Sequence, residues 1–387
     1  MATTTEQTQQ YGLTREQTDF LEVIRQIVVE KVTPRAPEID ESGEFPEDIR
    51  QLFGEQDLMG LPFEERYGGT GTGEIMLCAA IEEIAKGCAS SALILAAQDL
   101  ASLPIRLFGS EEMKDEWLPK MASGEVLGAF ALSEPDAGSD PGAMRTRATK
   151  TDGGWILNGA KNWITNSGVA DFYVTFAVTD PEVKFSKGIT AFLVTAESEG
   201  FRIDALEKKM GMKGSPTGQP IYEEVFVPDE HVIGEPGRGF AVAMETLDRS
   251  RLGVAAQAVG IAQGATDYAA AYAKDRTAFG RPINELQGIQ FKLADMETTT
   301  AAARELLYRA AALVEAGDPT MGKYSAMAKL FASDVAMEVT TQAVQVLGGY
   351  GYVKEYPVER MMRDAKLTQI YEGTNEIQRV VVARTMA

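Results

Sequence analysis

The 387 residues include 44% hydrophobic side chains, enough for two or three domains around a large core, and carry a formal net charge of −20 from 37 Lys plus Arg against 57 Asp plus Glu. Such an acidic chain repels phosphate backbones and anionic bilayers, so neither nucleic acid nor a membrane is an expected partner. Cys78, Cys88 and a lone His231 cannot build a metal cluster or a His-based triad; buried structural thiols and a cytoplasmic, reducing setting are expected instead.

The N-terminal dozen residues are polar, with neither a signal-like apolar core nor order expected, and no apolar run is expected to reach membrane-spanning length. From Thr14, a capping residue answered by Gln17, the apolar positions Phe20, Leu21, Ile24, Ile27 and Val28 trace one helical face, which Pro34 is expected to end. Further helices are predicted after Phe45-Pro46, over Glu74 to Lys86, over Ser90 to Leu103 and from Ser110. Tyr67 to Gly73 is a glycine-rich turn that does not spell a dinucleotide fingerprint.

Between Val126 and Pro228 the period changes to two, in Trp155-Ile-Leu-Asn, Phe172 to Val178, Ile189 to Val194 and Tyr222 to Val227, with turns expected at Asp152-Gly-Gly and Asn158-Gly. After the linker Gly234 to Gly239, long helical patterns run over Phe240 to Lys274, Asn284 to Ala316, Met321 to Leu347 and Val358 to Tyr371, followed by a short last helix. The reading is an α+β chain: an N-terminal helical domain (1–125), a middle β domain (126–237) and a C-terminal helical bundle (238–387).

Chemistry centres on Glu372, between two amphipathic patterns and just before Gly373. Asn375 and Gln378 read as a capping box opening the last helix. Apolar packing would raise the Glu372 pKa and the helix dipole would lower it, a balance suited to a base near neutral pH. Phe130 to Asp140 is rich in Ser, Gly and Asp that expose backbone N–H groups. Trp163 and Thr165 fall on one side of an extended segment, and Leu347 to Gly351 ends a helix with consecutive glycines. No nucleophile elbow or phosphate loop is present.

Together these strings resemble the acyl-CoA dehydrogenase family in order and spacing from about Leu13 onward. The resemblance implies that fold, with a β-barrel or sandwich between helical domains and a C-terminal four-helix bundle. It also implies FAD as cofactor, α,β-dehydrogenation of an acyl-CoA, an electron-transfer flavoprotein as acceptor, and a homotetramer. It places Phe130, Leu132, Ser133, Gly138 and Ser139 along the flavin, Trp163 against its ring and Thr165 near its N5. Arg276, Phe279 and Gln287 would reach the cofactor from a neighbouring subunit, with Gln345, Gly348 and Gly349 on the ADP side. Thr374 and Glu376 follow the base onto the same cofactor. Ser139, Asp248, Arg251, Tyr371 and Gly373 would contact substrate. Glu372 would take the α-proton while its own backbone N–H meets the thioester oxygen.

Isovaleryl- and long-chain-type members carry their Glu base just before the CoA-contacting Arg; this chain has Ser250 there, so it resembles the short- to medium-chain type. No Lys, Arg or His lies between Gly87 and Ile105 to meet a distal carboxylate, and Leu93, Leu95, Gln98 and Leu100 are candidates for the pocket floor. A straight short acyl chain is expected, with an acyl-CoA oxidase or a non-catalytic flavoprotein scaffold as alternatives.

Overall fold

Thr14 and Gln17 close the expected reciprocal cap, each side chain meeting the other's backbone N–H, and launch α1 (Arg15–Ile27) in the computed structural model, which describes residues 11–386. The order expected of residues 1–10 lies outside the described residues. Pro34 does not end this helix. A π turn, Val28–Val32, carries the chain into α2 (Thr33–Ser42), where Pro34 sits in the first turn directly after it.

Helices α3 (Glu47–Glu55), α4 (Gly73–Gly87), α5 (Ala89–Phe108) and α6 (Glu111–Ala122) complete the N-terminal part, and Ser110 caps α6 by accepting the Met113 N–H. Helix α5 does reach the length and apolarity of a membrane span, contrary to expectation; 78% of its apolar window is buried inside the protein, as in a core helix. Cys78 and Cys88 are both free and buried.

The middle of the chain forms nine strands: β1 (Gly128–Ala131), β2 (Arg147–Thr151), β3 (Gly154–Ala160), β4 (Ile164–Thr165), β5 (Phe172–Val178), β6 (Ile189–Thr195), β7 (Phe201–Leu206), β8 (Thr217–Pro228) and β9 (Val232–Ile233). They share one sheet in the order β4-β8-β3-β2-β5-β6-β9, with β1 paired parallel to β5 and β7 paired to β8. Asp152-Gly153 makes the expected turn between β2 and β3. Asn158-Gly159 does not turn the chain; it is a bulge inside β3, where the register against β8 slips.

The C-terminal bundle contains α7 (Gly239–Asp275), α8 (Gln287–Glu315), α9 (Met321–Leu347) and α10 (Pro357–Thr368), with α11 (Asn375–Arg384) lying on α9. Helix α7 is its axis. Its buried Ala255, Ala256, Ala258 and Ala262 keep neighbouring helices close, and a Cβ at Gly260 or Gly264 would strike the backbone oxygen of Glu82 or Lys86 on α4. The apolar core is therefore continuous from the N-terminal helices into the bundle, fixing α4 and α5 against the face of α7 that carries Ser250.

Candidate active site

Glu372 lies in the six-residue connection between α10 and α11 with a backbone φ of +52°, a left-handed conformation that costs a β-carbon-bearing residue about 1–2 kcal/mol. Gly373 follows at φ +90°, where a Cβ would press on the Gln378 amide. Gln378 Nε2 donates to the carbonyls of Glu372 (3.1 Å) and Gly373 (2.9 Å), so the strained turn is held from below by the last helix.

The cap of that helix differs from expectation. Thr374 is the N-cap and accepts the Ile377 N–H, because Asn375 is drawn inward to Ser333, Asp334 and Lys329. The positive helix terminus accordingly acts on Glu376, whose carboxyl is held below its usual range first by its own backbone N–H and then by Thr374.

What surrounds Glu372 is side-chain chemistry. Ser250 Oγ donates to its Oε2 at 2.6 Å. Burial pushes the carboxyl up to about 7, against the lowering effects of the Ser250 hydrogen bond and the charges of Arg251 and Lys329. By accessible surface the residue is only half-buried, yet protein atoms crowd around it, and that crowding raises its proton affinity. Among the described residues no acceptor meets the Glu372 backbone N–H, leaving a donor free beside the carboxylate. Tyr371 packs behind, its hydroxyl donating to Gln257, whose amide in turn donates to the Ala89 carbonyl at 2.8 Å.

Arg251 is buried and donates to Asp248 at 2.6 Å, yet its Nε has no partner: an orphan donor of the kind a bound acceptor satisfies. Asp248, Ser250, Arg251, Tyr371, Glu372 and Gly373 thus form one neighbourhood along α7 and its facing turn.

A second group forms on the sheet. Phe130 lies in β1 with its ring against Phe176, Leu132 and Ser133 follow half-buried, and Gly138 and Ser139 are exposed with open space over Gly138. This segment is clasped by a fully buried Lys161, whose Nζ donates to Glu134 (2.8 Å) and the Leu132 carbonyl (3.2 Å); Asn162 N–H reaches the Ser133 carbonyl at 2.9 Å. Trp163 emerges from this clasp at φ +63°, 59% exposed, beside half-buried Thr165 in β4. A large aromatic held rigidly against solvent is a platform for a flat ligand.

A third group stands apart. Arg276, Phe279, Gly348 and Gly349 line an apolar pocket of about 590 Å³ with Tyr272 and Tyr350, and nothing lies within 4 Å of a Cβ at either glycine. Gln287 and Gln345 are exposed and do not line it, while Phe279 is 92% exposed at φ +53°. The geometry therefore brings the base and substrate residues together, gathers the flavin-face residues separately, and leaves Arg276 and its neighbours on an open surface.

Among the candidates for the pocket floor, the Gln98 amide donates to the carbonyls of Met121 and Val126 and accepts the Gly128 N–H, riveting α5 to β1; Leu93 and Leu95 are buried, and Leu100 is half-buried.

Three family models cover the chain: acyl-CoA dehydrogenase N-terminal domain over 14–125, middle domain over 129–225 and C-terminal domain over 237–387. The chain belongs to the acyl-CoA dehydrogenase family. It is 48% identical over 376 residues to "Probable acyl-CoA dehydrogenase FadE25" of Mycobacterium tuberculosis, covering 97% of this chain and 96% of that one. Butyryl-CoA dehydrogenase from Megasphaera elsdenii superposes with a TM-score of 0.94 at 45% identity, covering 97% and 98% of the two chains. A chain from the structure of the electron transferring flavoprotein of Acidaminococcus fermentans gives 0.95 at 44%, with the same coverage. The chain is thus an oxidoreductase of the acyl-CoA dehydrogenase fold.

Residues that sequence reasoning missed include Lys329 and Lys161, both fully buried, and the donor role of Ser250. The signal was present: Ala326-Met-Ala-Lys329-Leu-Phe-Ala places one lysine in an otherwise apolar helical stretch.

Proposed function

We propose that the protein dehydrogenates a short straight-chain acyl-CoA to the trans-2-enoyl-CoA, with Glu372 as the base that removes the α-proton. The observation that carries this reading is a partly accessible carboxylate with proton affinity near neutrality, held on a strained turn, hydrogen-bonded by Ser250 and accompanied by a free N–H on its own backbone. A proton α to a thioester leaves only as negative charge moves onto the carbonyl oxygen, so base and donor have to act on adjacent atoms. Glu372 offers both, and Ser250 holds the carboxylate through a hydrogen bond to its Oε2. Buried Arg251, with its unpartnered Nε, supports the polar end of the substrate together with Asp248.

The residues fit FAD: Trp163 offers an exposed ring face, Phe130 to Ser139 an accessible edge, and Gly348 and Gly349 an open backbone beside Arg276. When bound, FAD supplies the acceptor for the β-hydride at its N5, a redox capacity that no side chain has. Because Arg276, Gln287 and Gln345 lie away from the Glu372 group, a second copy of the chain is the natural owner of the site they complete, and a homotetramer is the assembly proposed. Exposed Phe279 and the apolar pocket beside it are the surface that such an assembly would cover.

Two observations bear on the acyl group. The two basic residues flanking the candidate pocket helix segment are both engaged, Arg106 with buried Asp99 at 2.9 Å and Lys86 with Glu83 at 2.8 Å, which leaves neither to meet a second carboxylate. The structural similarity to a butyryl-CoA dehydrogenase makes butyryl-CoA the first substrate to test. Electrons are proposed to leave to an electron-transfer flavoprotein. The deciding experiment is anaerobic addition of butyryl-CoA to the yellow protein. Bleaching in the native chain, slowed by orders of magnitude in Glu372→Gln with acyl-CoA binding kept, supports the assignment; near-native bleaching in that variant removes it.

A further inference from the structure

Lys329 is the one charged side chain among the buried residues of α9. Its Nζ donates to the Gly373 carbonyl at 2.8 Å and to Asn375 Oδ1 at 2.9 Å, with no carboxylate in salt-bridge contact among the described residues. The charged groups facing it are Glu372 from the turn, Arg251 from α7, Asp334 on its own helix and Glu376 from α11. Asp334 is already engaged by Asn375 and Gln369. Burial drives the ammonium down to about 7, opposed first by Glu372.

Fastening a carbonyl and an amide oxygen requires only donors, which an uncharged amide can supply. An ammonium sealed behind the turn does something further: in its charged form it acts on the negative charge in front of it. The two carbonyls of the turn are shared out, Glu372 to Gln378 and Gly373 to both Gln378 and Lys329, so the ammonium is connected by one peptide unit to the residue whose backbone is strained.

We propose that Lys329 is the positioning residue of Glu372: its ammonium pins the Gly373 carbonyl so that the carboxylate keeps its left-handed presentation, and its charge, facing that carboxylate from behind the turn, favours the ionised form that takes the α-proton. This rests on the reading of Glu372 as the base. In the step itself the α-carbon proton passes to Glu372, and Lys329 keeps its own proton on the Gly373 oxygen.

The test uses the FAD-loaded protein and two thioesters. Acetyl-CoA has α-hydrogens and no β-carbon, so exchange of its methyl hydrogens in D2O, followed by NMR, reads the base without hydride transfer; butyryl-CoA reads the whole reaction by anaerobic flavin bleaching. Lys329→Gln is expected to keep FAD and bind acetyl-CoA within about twofold, to lose about tenfold or more in exchange at pH 7, and to move the acid limb of the profile up by about one unit. Lys329→Arg, which keeps the charge but not the reach, is expected to leave that limb in place and lower the maximum. An unshifted limb in Lys329→Gln overturns the proposal. Should that variant lose its flavin or its fold, Lys329→Arg decides: a limb in place with a lower maximum supports the role, and a shifted limb or an unchanged maximum overturns it. Exchange that persists in Glu372→Gln would instead remove the base assignment, whereas exchange abolished there beside an unshifted Lys329→Gln limb removes only the role of Lys329.

Discussion

Replacing Ser250 by Ala removes one hydroxyl and nothing else of consequence: the side chain is buried and its Oγ donates to Glu372 Oε2 at 2.6 Å. A hydrogen bond from a neutral donor to a carboxylate contributes about 1.5–3 kcal/mol, and about 1.4 kcal/mol corresponds to one pKa unit, so Ser250→Ala should raise the Glu372 pKa by about one to two units. With a starting value of about 7 the carboxylate is about half ionised at pH 7. The variant would be ionised to about one part in ten to one in a hundred, which lowers kcat/KM at pH 7 by about five- to fifty-fold. Above about pH 9.5 the loss should largely vanish, since a base is active once deprotonated whatever its affinity. The assay is kcat/KM for butyryl-CoA from pH 6 to 10, which reports the ionisation of the free enzyme, the state whose geometry is described above. A profile of native midpoint, merely scaled down at every pH, would refute the electrostatic reasoning and leave Ser250 a packing residue.

Three further outcomes follow from the sheet. Lys161→Met leaves Glu134 buried with no cation, a change that costs about 3–5 kcal/mol in comparable pairs, and is expected to lower the melting temperature by several degrees and shed the flavin; a yellow protein of native melting temperature would contradict it. Trp163→Ala removes an exposed ring, so the melting temperature should barely move while flavin retention after gel filtration falls; unchanged retention would dismiss the ring as a cofactor platform. Glu134 is raised by burial but held below its ordinary pKa overall by Lys161 and by the N–H groups of Arg145 and Thr146. A carboxyl depressed in the fold stabilises above its unfolded pKa of about 4.3, and that contribution is lost as pH falls through the lower folded value. The melting-temperature gap between native and Glu134→Gln should therefore be widest above about pH 5 and close below it, and a gap that stays constant to pH 3 would exclude this linkage. At the other end of the pair desolvation wins, pushing Lys161 down to about 8, so the stabilisation belongs to the carboxylate.

How much of this was legible depended on whether the information was periodic. The helices and most strands were, because 3.6- and two-residue patterns write themselves in side-chain polarity. Pro34 was misjudged because a proline tolerated in the first turn of a new segment looks the same in sequence as one that stops a helix. Asn158-Gly159 reads equally as a turn or as a bulge, and only pairing with β8 distinguishes them. The site residues were readable as strings, but their grouping was not. That Ser250 and Glu372, 122 positions apart, touch is a property of how α7 faces the turn after α10, and no local pattern encodes it.

The Asn375 case shows why the local rule failed where the chemistry lies. Asn opening a helix with Gln three residues later satisfies a capping pattern, yet Thr374 does the capping. Asn375 is turned inward to accept from Lys329 and to donate to Ser333 and Asp334, and Gln378, freed from closing a box, holds the carbonyls of Glu372 and Gly373. Had Asn375 capped the helix instead, Lys329 would have lost its amide-oxygen acceptor behind the Glu372 turn. The helix terminus spends its field on exposed Glu376. Glu372 is left to the side chains of three other elements: Ser250 and Arg251 on α7, Lys329 on α9 and Gln378 on α11. A base tuned by side chains can be adjusted by single substitutions without moving a helix, which is why its proton affinity should respond to Ser250 and Lys329 separately and by unequal amounts.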